Sequence, residues 1–274
     1  MKANTAIGIV GAICCLLLSV IMEGGNPAAL INIPAFIIVI GGTSMATFAS
    51  SSAEQMKRLP ALYKKAFSGS DLDARGAIAK FVALADKARR EGLLALEHEL
   101  DDLPDDFSRK GVQLVIDGTD SDLVRSILQS ELDGMSARHR ANAKFFATAG
   151  GFAPTLGILG TVLSLVHVLE NLSSPRTLGH AIAGAFLATL YGVGSANIIF
   201  LPVANKLKEL SAEELHYREL LIEAVLSIQA GENPRILSDR LATFLAPGER
   251  KEKEQPPAAA PDPATVAAPE AEAA

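Results

Sequence analysis

Apolar residues along this chain gather into four long runs, at about residues 3–22, 30–50, 147–169 and 178–203, with charged sequence between and after them. Each run reaches or passes the eighteen or so residues that carry a helix across a hydrocarbon core, and none holds an Asp, Glu, Lys or Arg in its interior. The pattern predicts an all-α, polytopic membrane protein with four transmembrane helices. The first run follows Lys2 and has the look of a signal peptide. No small-x-small cleavage pattern follows it and three more apolar runs do, so it reads as a retained helix. In the second run Pro34 falls in the first turn, where a missing N–H costs little.

Between the second and third runs, residues 53–144 are polar with a helical period and predict a cytoplasmic helical domain. One helix is expected from an Asp71 N-cap through Ile78, Phe81, Val82 and Ala85 to about Arg90, stopped by Gly92. A short acidic helix holding Leu93, Leu96 and Leu100 follows, then another around Val112, Leu114, Val115 and Ile116. Thr119-Asp-Ser-Asp122 resembles a capping box, and the pattern Leu123, Ile127, Leu128, Leu132 continues unbroken toward the third apolar run. The third and fourth membrane helices should therefore extend into the cytoplasmic domain, the fourth through Leu207, Leu210, Leu215, Leu220 and Ile228. Gly231 ends it, and Asn233 with Pro234 opens a last short helix to about Leu245, so residues 206–246 are helical. Residues 247–274 turn Glu/Lys-rich and then Pro/Ala-rich, a composition with too little apolar surface to fold, and are expected to form a disordered tail.

Charge orients the chain. Lys57, Arg58, Lys64 and Lys65 follow the second run, Arg138, Arg140 and Lys144 precede the third, and Lys206 and Lys208 follow the fourth. The turn between runs one and two has no Lys or Arg, and that between three and four has only Arg176. The positive-inside rule then places both termini and the middle segment in the cytoplasm. A net charge of −6 without a basic run leaves no footprint for nucleic acid. Cys14 and Cys15 are adjacent within an apolar run, which offers neither a disulfide framework nor metal-ligand spacing. With no nucleophile triad or phosphate loop, nothing in the sequence reads as an enzyme.

The third and fourth runs carry stripes of small and hydroxylated residues. Pro154, Gly157, Thr161 and Ser164 share one face of the third helix, and Ala185, Thr189, Gly192 and Ala196 one face of the fourth. In lipid such stripes let backbones approach closely and let hydroxyls bond across the contact, so packing and a polar path are both open readings. Because no carboxylate lies inside any run, a titrating group for ion passage has to come from another chain. Tyr191 reads as packing, and His167 and Glu170 as interfacial.

Ala-Pro-Thr-Leu-Gly-Ile-Leu-Gly-Thr-Val at 153–162, Ala-Phe-Leu-Ala-Thr-Leu-Tyr-Gly-Val-Gly at 185–194 and Leu-Pro-Val-Ala-Asn-Lys-Leu at 201–207 resemble the MotA/TolQ/ExbB family, and most closely its MotA/PomA branch. The resemblance implies an ion-conducting stator subunit of the bacterial flagellar motor in the inner membrane. It implies passage of H+ or Na+ with no bound cofactor. It also implies a homo-oligomer, a pentamer, around a MotB/PomB-type single-span partner that carries a membrane Asp.

By the same resemblance Thr161 and Thr189 are the hydroxyls of the ion path; Ser164, on the same stripe as Thr161, is a further oxygen that could line it. Pro154 and Pro202 match prolines that couple helix movement to the cytoplasm. Arg89-Arg-Glu-Gly-Leu-Leu-Ala-Leu-Glu97 resembles the segment that meets the rotor protein FliG, through Arg89 or Arg90 and Glu97. A TolQ/ExbB-like energiser of outer-membrane processes and a non-conducting scaffold are the competing readings. The fourth span and the Arg/Glu segment stand against the former.

Overall fold

The computed structural model describes residues 4–69, 72–170 and 175–249, and among these every regular element is a helix. Helix α1 spans Asn4–Met22, and none of its residues is buried. Asn26 caps a 3-10 turn, Pro27–Leu30, and Asn32 caps the next helix by accepting from the Ala35 N–H at 3.0 Å. That helix runs through α2, Ile33–Phe36, a π-type stretch, Ile37–Gly41, and α3, Gly42–Ala49. The expected second span of 30–50 is thus shorter, because two Asn-caps with Pro27 and Pro34 behind them split its start into a turn and a helix.

Helix α4, Ala53–Ser68, opens with a capping box between Ser52 and Gln55. Helix α5 spans Ala74–Glu91; its cap is Asp73, whose carboxylate accepts from the Gly76 N–H at 2.9 Å, whereas Asp71, the predicted cap, lies outside the described residues. Gly92, at φ +89°, stops α5, and a 3-10 segment, Leu93–Asp102, replaces the predicted acidic helix. Helix α6 spans Asp106–Ile116. Helix α7, Ser121–Glu170, is 50 residues long, about 75 Å at 1.5 Å per residue. Its cap is Asp120, which accepts from the Asp122 N–H, one residue past the Thr119 expected from the sequence. The carbonyl of Thr119 instead accepts from the Gln229 side chain at 2.6 Å.

Helix α8, Pro175–Gly194, continues through a π-type segment, Ser195–Phe200, into α9, Leu201–Gln229. Gly231, at φ +67°, ends it, and α10, Pro234–Ala242, is capped by Asn233 as expected but stops short of Leu245. The expected tail lies mostly beyond the described residues, of which 247–249 form a 3-10 turn.

Two apolar clusters hold the lower part together. Phe81, Leu84, Leu96, Leu128, Leu220, Leu221, Leu237 and Leu241 join α5, the 3-10 segment, α7, α9 and α10. Leu62, Ala66, Ala143, Phe146, Val203, Ala204 and Leu207 then seat α4 on α7 and α9 where their apolar halves begin. The burial of the Leu, Phe and Val side chains among these, at roughly 1.5–3 kcal/mol each, makes the lower ends of α7 and α9 one body with the polar domain. The apolar halves of α7 and α8 emerge from that base.

Candidate functional site

Two glycines bring the backbones of α7 and α8 together. A Cβ at Gly192 would stand 2.6 Å from the Ala153 carbonyl oxygen and 2.9 Å from the Gly157 Cα; one at Gly157 would stand 3.0 Å from the Ala188 carbonyl oxygen. Close approach of this kind needs glycine on both sides, which the small-residue stripes supply. One turn above Gly157, the hydroxyls of Thr161 and Thr189 meet at 2.6 Å. The Thr161 hydroxyl also lies 3.0 Å from the Gly157 carbonyl and 3.1 Å from the Ala185 carbonyl. Two hydroxyl protons serve three oxygen–oxygen contacts in this cluster, so acceptor lone pairs remain over. The result is four oxygens gathered on a half-buried stretch of the helix pair where neither apolar run carries an Asp, Glu, Lys or Arg, able to receive a proton donor, a water or a cation.

Ser164 does not join that cluster. It lines a cavity of about 890 Å³ between the start of α2, α7 and α8, with Asn32, Pro34 and His167 also on its wall. The prolines are brought near each other through a neighbour: Pro154, inside α7, leaves the Gly150 carbonyl without its helical N–H donor, and a Cβ at Gly150 would stand 2.8 Å from the Leu201 side chain. Leu201 and Pro202 open α9 directly after the π-type segment, itself a common site of helix bending. Both helices therefore carry their irregularity at one level.

In the polar domain, Arg89 and Arg90 are exposed at the end of α5, and Glu97 is exposed on the 3-10 segment. Arg90 is ion-paired with Asp86 one turn back. Arg89 and Glu97 form no ion pair among the described residues. Leu94 is 72% exposed between them. Glu99 fastens this segment to α5 through Lys87 at 2.8 Å and Lys80 at 3.0 Å. Its hydrogen bonds to Lys87 and Lys80 bring its pKa down to about 2.

Residues 6–92 match the family model described as Motility protein A N-terminal, and residues 99–220 match that of the MotA/TolQ/ExbB proton channel family. Motility protein A of Bacillus subtilis is 37% identical over 251 residues, 91% of this chain and 93% of that protein. The chain belongs to the MotA/TolQ/ExbB family. Motility protein A of Borreliella burgdorferi is 41% identical over 217 residues, covering 79% of this chain and 83% of its own. The C. jejuni MotAB structure superimposes with a TM-score of 0.88 at 28% identity, covering 93% of this chain and all of that one. The flagellar MotAB stator complex of Bacillus subtilis does so at 0.86 and 36% identity over 90% of this chain and 97% of that one. Within the MotA/TolQ/ExbB family, the match of residues 6–92 sets the chain with the motility proteins rather than with the TolQ/ExbB energisers.

Tyr191, which the sequence reads as packing, also forms hydrogen bonds, and Thr43 is a buried polar position the sequence did not single out. The Tyr191 hydroxyl donates to the Leu30 carbonyl and accepts from the Asn32 N–H at 2.9 Å, while its ring meets Phe36 edge-on at a centroid distance of 6.3 Å. It satisfies two backbone groups freed where the 3-10 turn gives way to α2, a service valuable where water is scarce. The signal for it was the Asn-cap at Asn32, which implied a break in need of partners. Thr43 is fully buried on α3 with no hydrogen-bond partner for its hydroxyl, and Thr47 donates to the Thr43 carbonyl at 2.7 Å.

Proposed function

We propose that this flagellar stator subunit carries H+ or Na+ past the Thr161–Thr189 hydroxyl pair, opposite a carboxylate on the single membrane helix of a MotB/PomB-type partner. The observation that carries the reading is the 2.6 Å contact of those two hydroxyls, one turn above the backbone contact of Gly157 with Gly192. Four membrane spans with both termini in the cytoplasm, and five copies around the partner helices, complete the arrangement. Exposed apolar side chains on α7 and α8, among them Ile158, Val162, Phe186 and Val193, supply surface for partner helices, neighbouring copies and lipid.

Ion binding at the pair shifts the α7–α8 contact. The movement passes downward at the level of Pro154 and Pro202, with Ser164 on the outer approach. At the far end Arg89 and Glu97 meet the rotor protein FliG; Arg90 is the weaker choice, being engaged by Asp86.

The test is ion flux in vesicles or cells. Flux is expected on co-expression with the partner and is expected to vanish when the partner's membrane Asp is changed to Asn. Flux from this chain expressed alone would refute the reading, since no carboxylate lies within the apolar runs.

A further inference from the structure

Where the apolar halves of α7 and α9 give way to the polar domain, the two helices leave an open groove of about 470 Å³. Arg140 and Lys144 line it from α7, and Lys208 from α9. All three are exposed, and none forms an ion pair among the described residues. Neighbouring cations are treated differently: Lys206 pairs with Glu209 at 3.0 Å, Lys65 with Glu214 at 3.0 Å, and Arg218 with Glu214 at 3.5 Å.

The nearby carboxylates are thus already engaged, and three positive charges are left facing one space. Its floor is neutral and hydrogen-bonding. The His139 ring nitrogen lies 3.2 Å from the Ser211 hydroxyl, burial holds that imidazole's pKa below its ordinary value, and Ser136 adds a further hydroxyl. Ala147, near the start of the apolar half of α7, closes the membrane end.

We propose that this groove holds the phosphate headgroup of an acidic phospholipid. Three cations with hydroxyls between them match a phosphate diester, and a headgroup delivered from the bilayer edge needs only to drop alongside Lys144 and Lys208. The surface potential of a leaflet rich in anionic lipid adds to the attraction at this depth. Positive-inside topology alone requires cations near the helix ends but not their convergence, unpaired, on one groove. The inference rests on α7 and α9 leaving the bilayer here, and not on the hydroxyl pair or on ion passage. A bound headgroup would brace α7 against α9 below the level of Pro154 and Pro202.

The experiment uses the full chain purified with its partner in detergent, then placed in nanodiscs of phosphatidylcholine alone or phosphatidylcholine with phosphatidylglycerol at 3:1. Lipid retained per complex is counted by native mass spectrometry. The wild type is expected to retain phosphatidylglycerol selectively, and the triple variant Arg140→Gln/Lys144→Gln/Lys208→Gln to lose about tenfold or more of it. A control variant at exposed cations of α5 and α10 outside the groove, Arg75→Gln/Arg235→Gln, is expected to retain it as the wild type does. Competition by millimolar inorganic phosphate as effective as by added phosphatidylglycerol would assign the groove to a free anion and overturn the proposal. So would unchanged retention in the triple variant. If the triple variant loses its oligomeric state while keeping its phosphatidylglycerol, the groove is a contact between copies and the lipid assignment falls.

Discussion

At the scale of single residues, the hydroxyls of Thr161 and Thr189 have little freedom. Each sits on a helix whose neighbour is held at backbone contact by Gly157 and Gly192, so their 2.6 Å separation follows from the packing below them. Threonine in a membrane helix commonly bonds back to the i−4 carbonyl, and Thr161 has that option at Gly157, yet its position also faces Ala185 and Thr189 across the helix pair. Thr189→Val keeps the branched shape and removes the oxygen. Torque is expected to be abolished at normal protein level, and Thr189→Ser to keep part of it with an altered ion preference. Swimming speed in media with and without sodium checks both; wild-type speed in the Val strain would make the pair a packing contact.

Among the elements, the 3-10 segment Leu93–Asp102 is fastened chiefly by the carboxylate of Glu99. Leu96 is buried beneath it, and its outer side is tied to α5 by Glu99, which reaches Lys80 at 3.0 Å and Lys87 at 2.8 Å, and more loosely by Asp102, 3.9 Å from Lys80. Because the pKa of Glu99 is lowered in the folded chain to about 2, its contribution is fully present above the ordinary carboxylate range and is lost as pH falls through about 2. Amide exchange over residues 93–102 is therefore expected to be slow and constant from neutral pH down to about 5, once corrected for intrinsic rates. It should rise as the pH is taken toward 2, whereas Glu99→Gln should show the faster exchange already at neutral pH. Equal exchange in the two proteins at neutral pH would mean that the burial of Leu96 and the Asp102–Lys80 pair hold the segment without Glu99.

At the scale of the whole molecule, α7 is a rod of 50 residues, about 75 Å long, that carries the hydroxyl cluster at one end and packs in the polar core at the other. The exposed segment with Arg89 and Glu97 is seated on that same core through Phe81, Leu84 and Leu96. The Thr161–Thr189 pair and the exposed Arg89/Glu97 segment are thus joined by packed helix yet lie in separate environments. Charge reversal at an exposed site costs folding little. Arg89→Glu or Glu97→Arg is expected to stop rotation while ion flux and complex formation stay within about twofold of wild type, and the opposite reversal on the rotor should restore motion. Failure of the single variants to assemble would instead make these charges structural.

Legible in the sequence were the all-helical membrane architecture, the long extensions of α7 and α9, the lack of a carboxylate within the apolar runs and the stripes that hold Gly157, Thr161, Thr189 and Gly192. These are properties of period, hydropathy and residue size along one strand of chain. Helix caps were legible only to within a residue or two, as Asp73 and Asp120 show, because several acidic or hydroxyl residues in a row compete for one N–H. Which groups meet was not legible there and comes from the packing of distant elements. The Thr161–Thr189 pair depends on how closely two helices pack, the Tyr191 bridge on a turn 159 residues away, and the lack of an ion pair at Arg140, Lys144 and Lys208 among the described residues on Glu209 and Glu214 being engaged elsewhere. Such facts have no local signature, since hydrogen bonds and ion pairs between distant elements are settled by packing, and packing is a property of the whole chain.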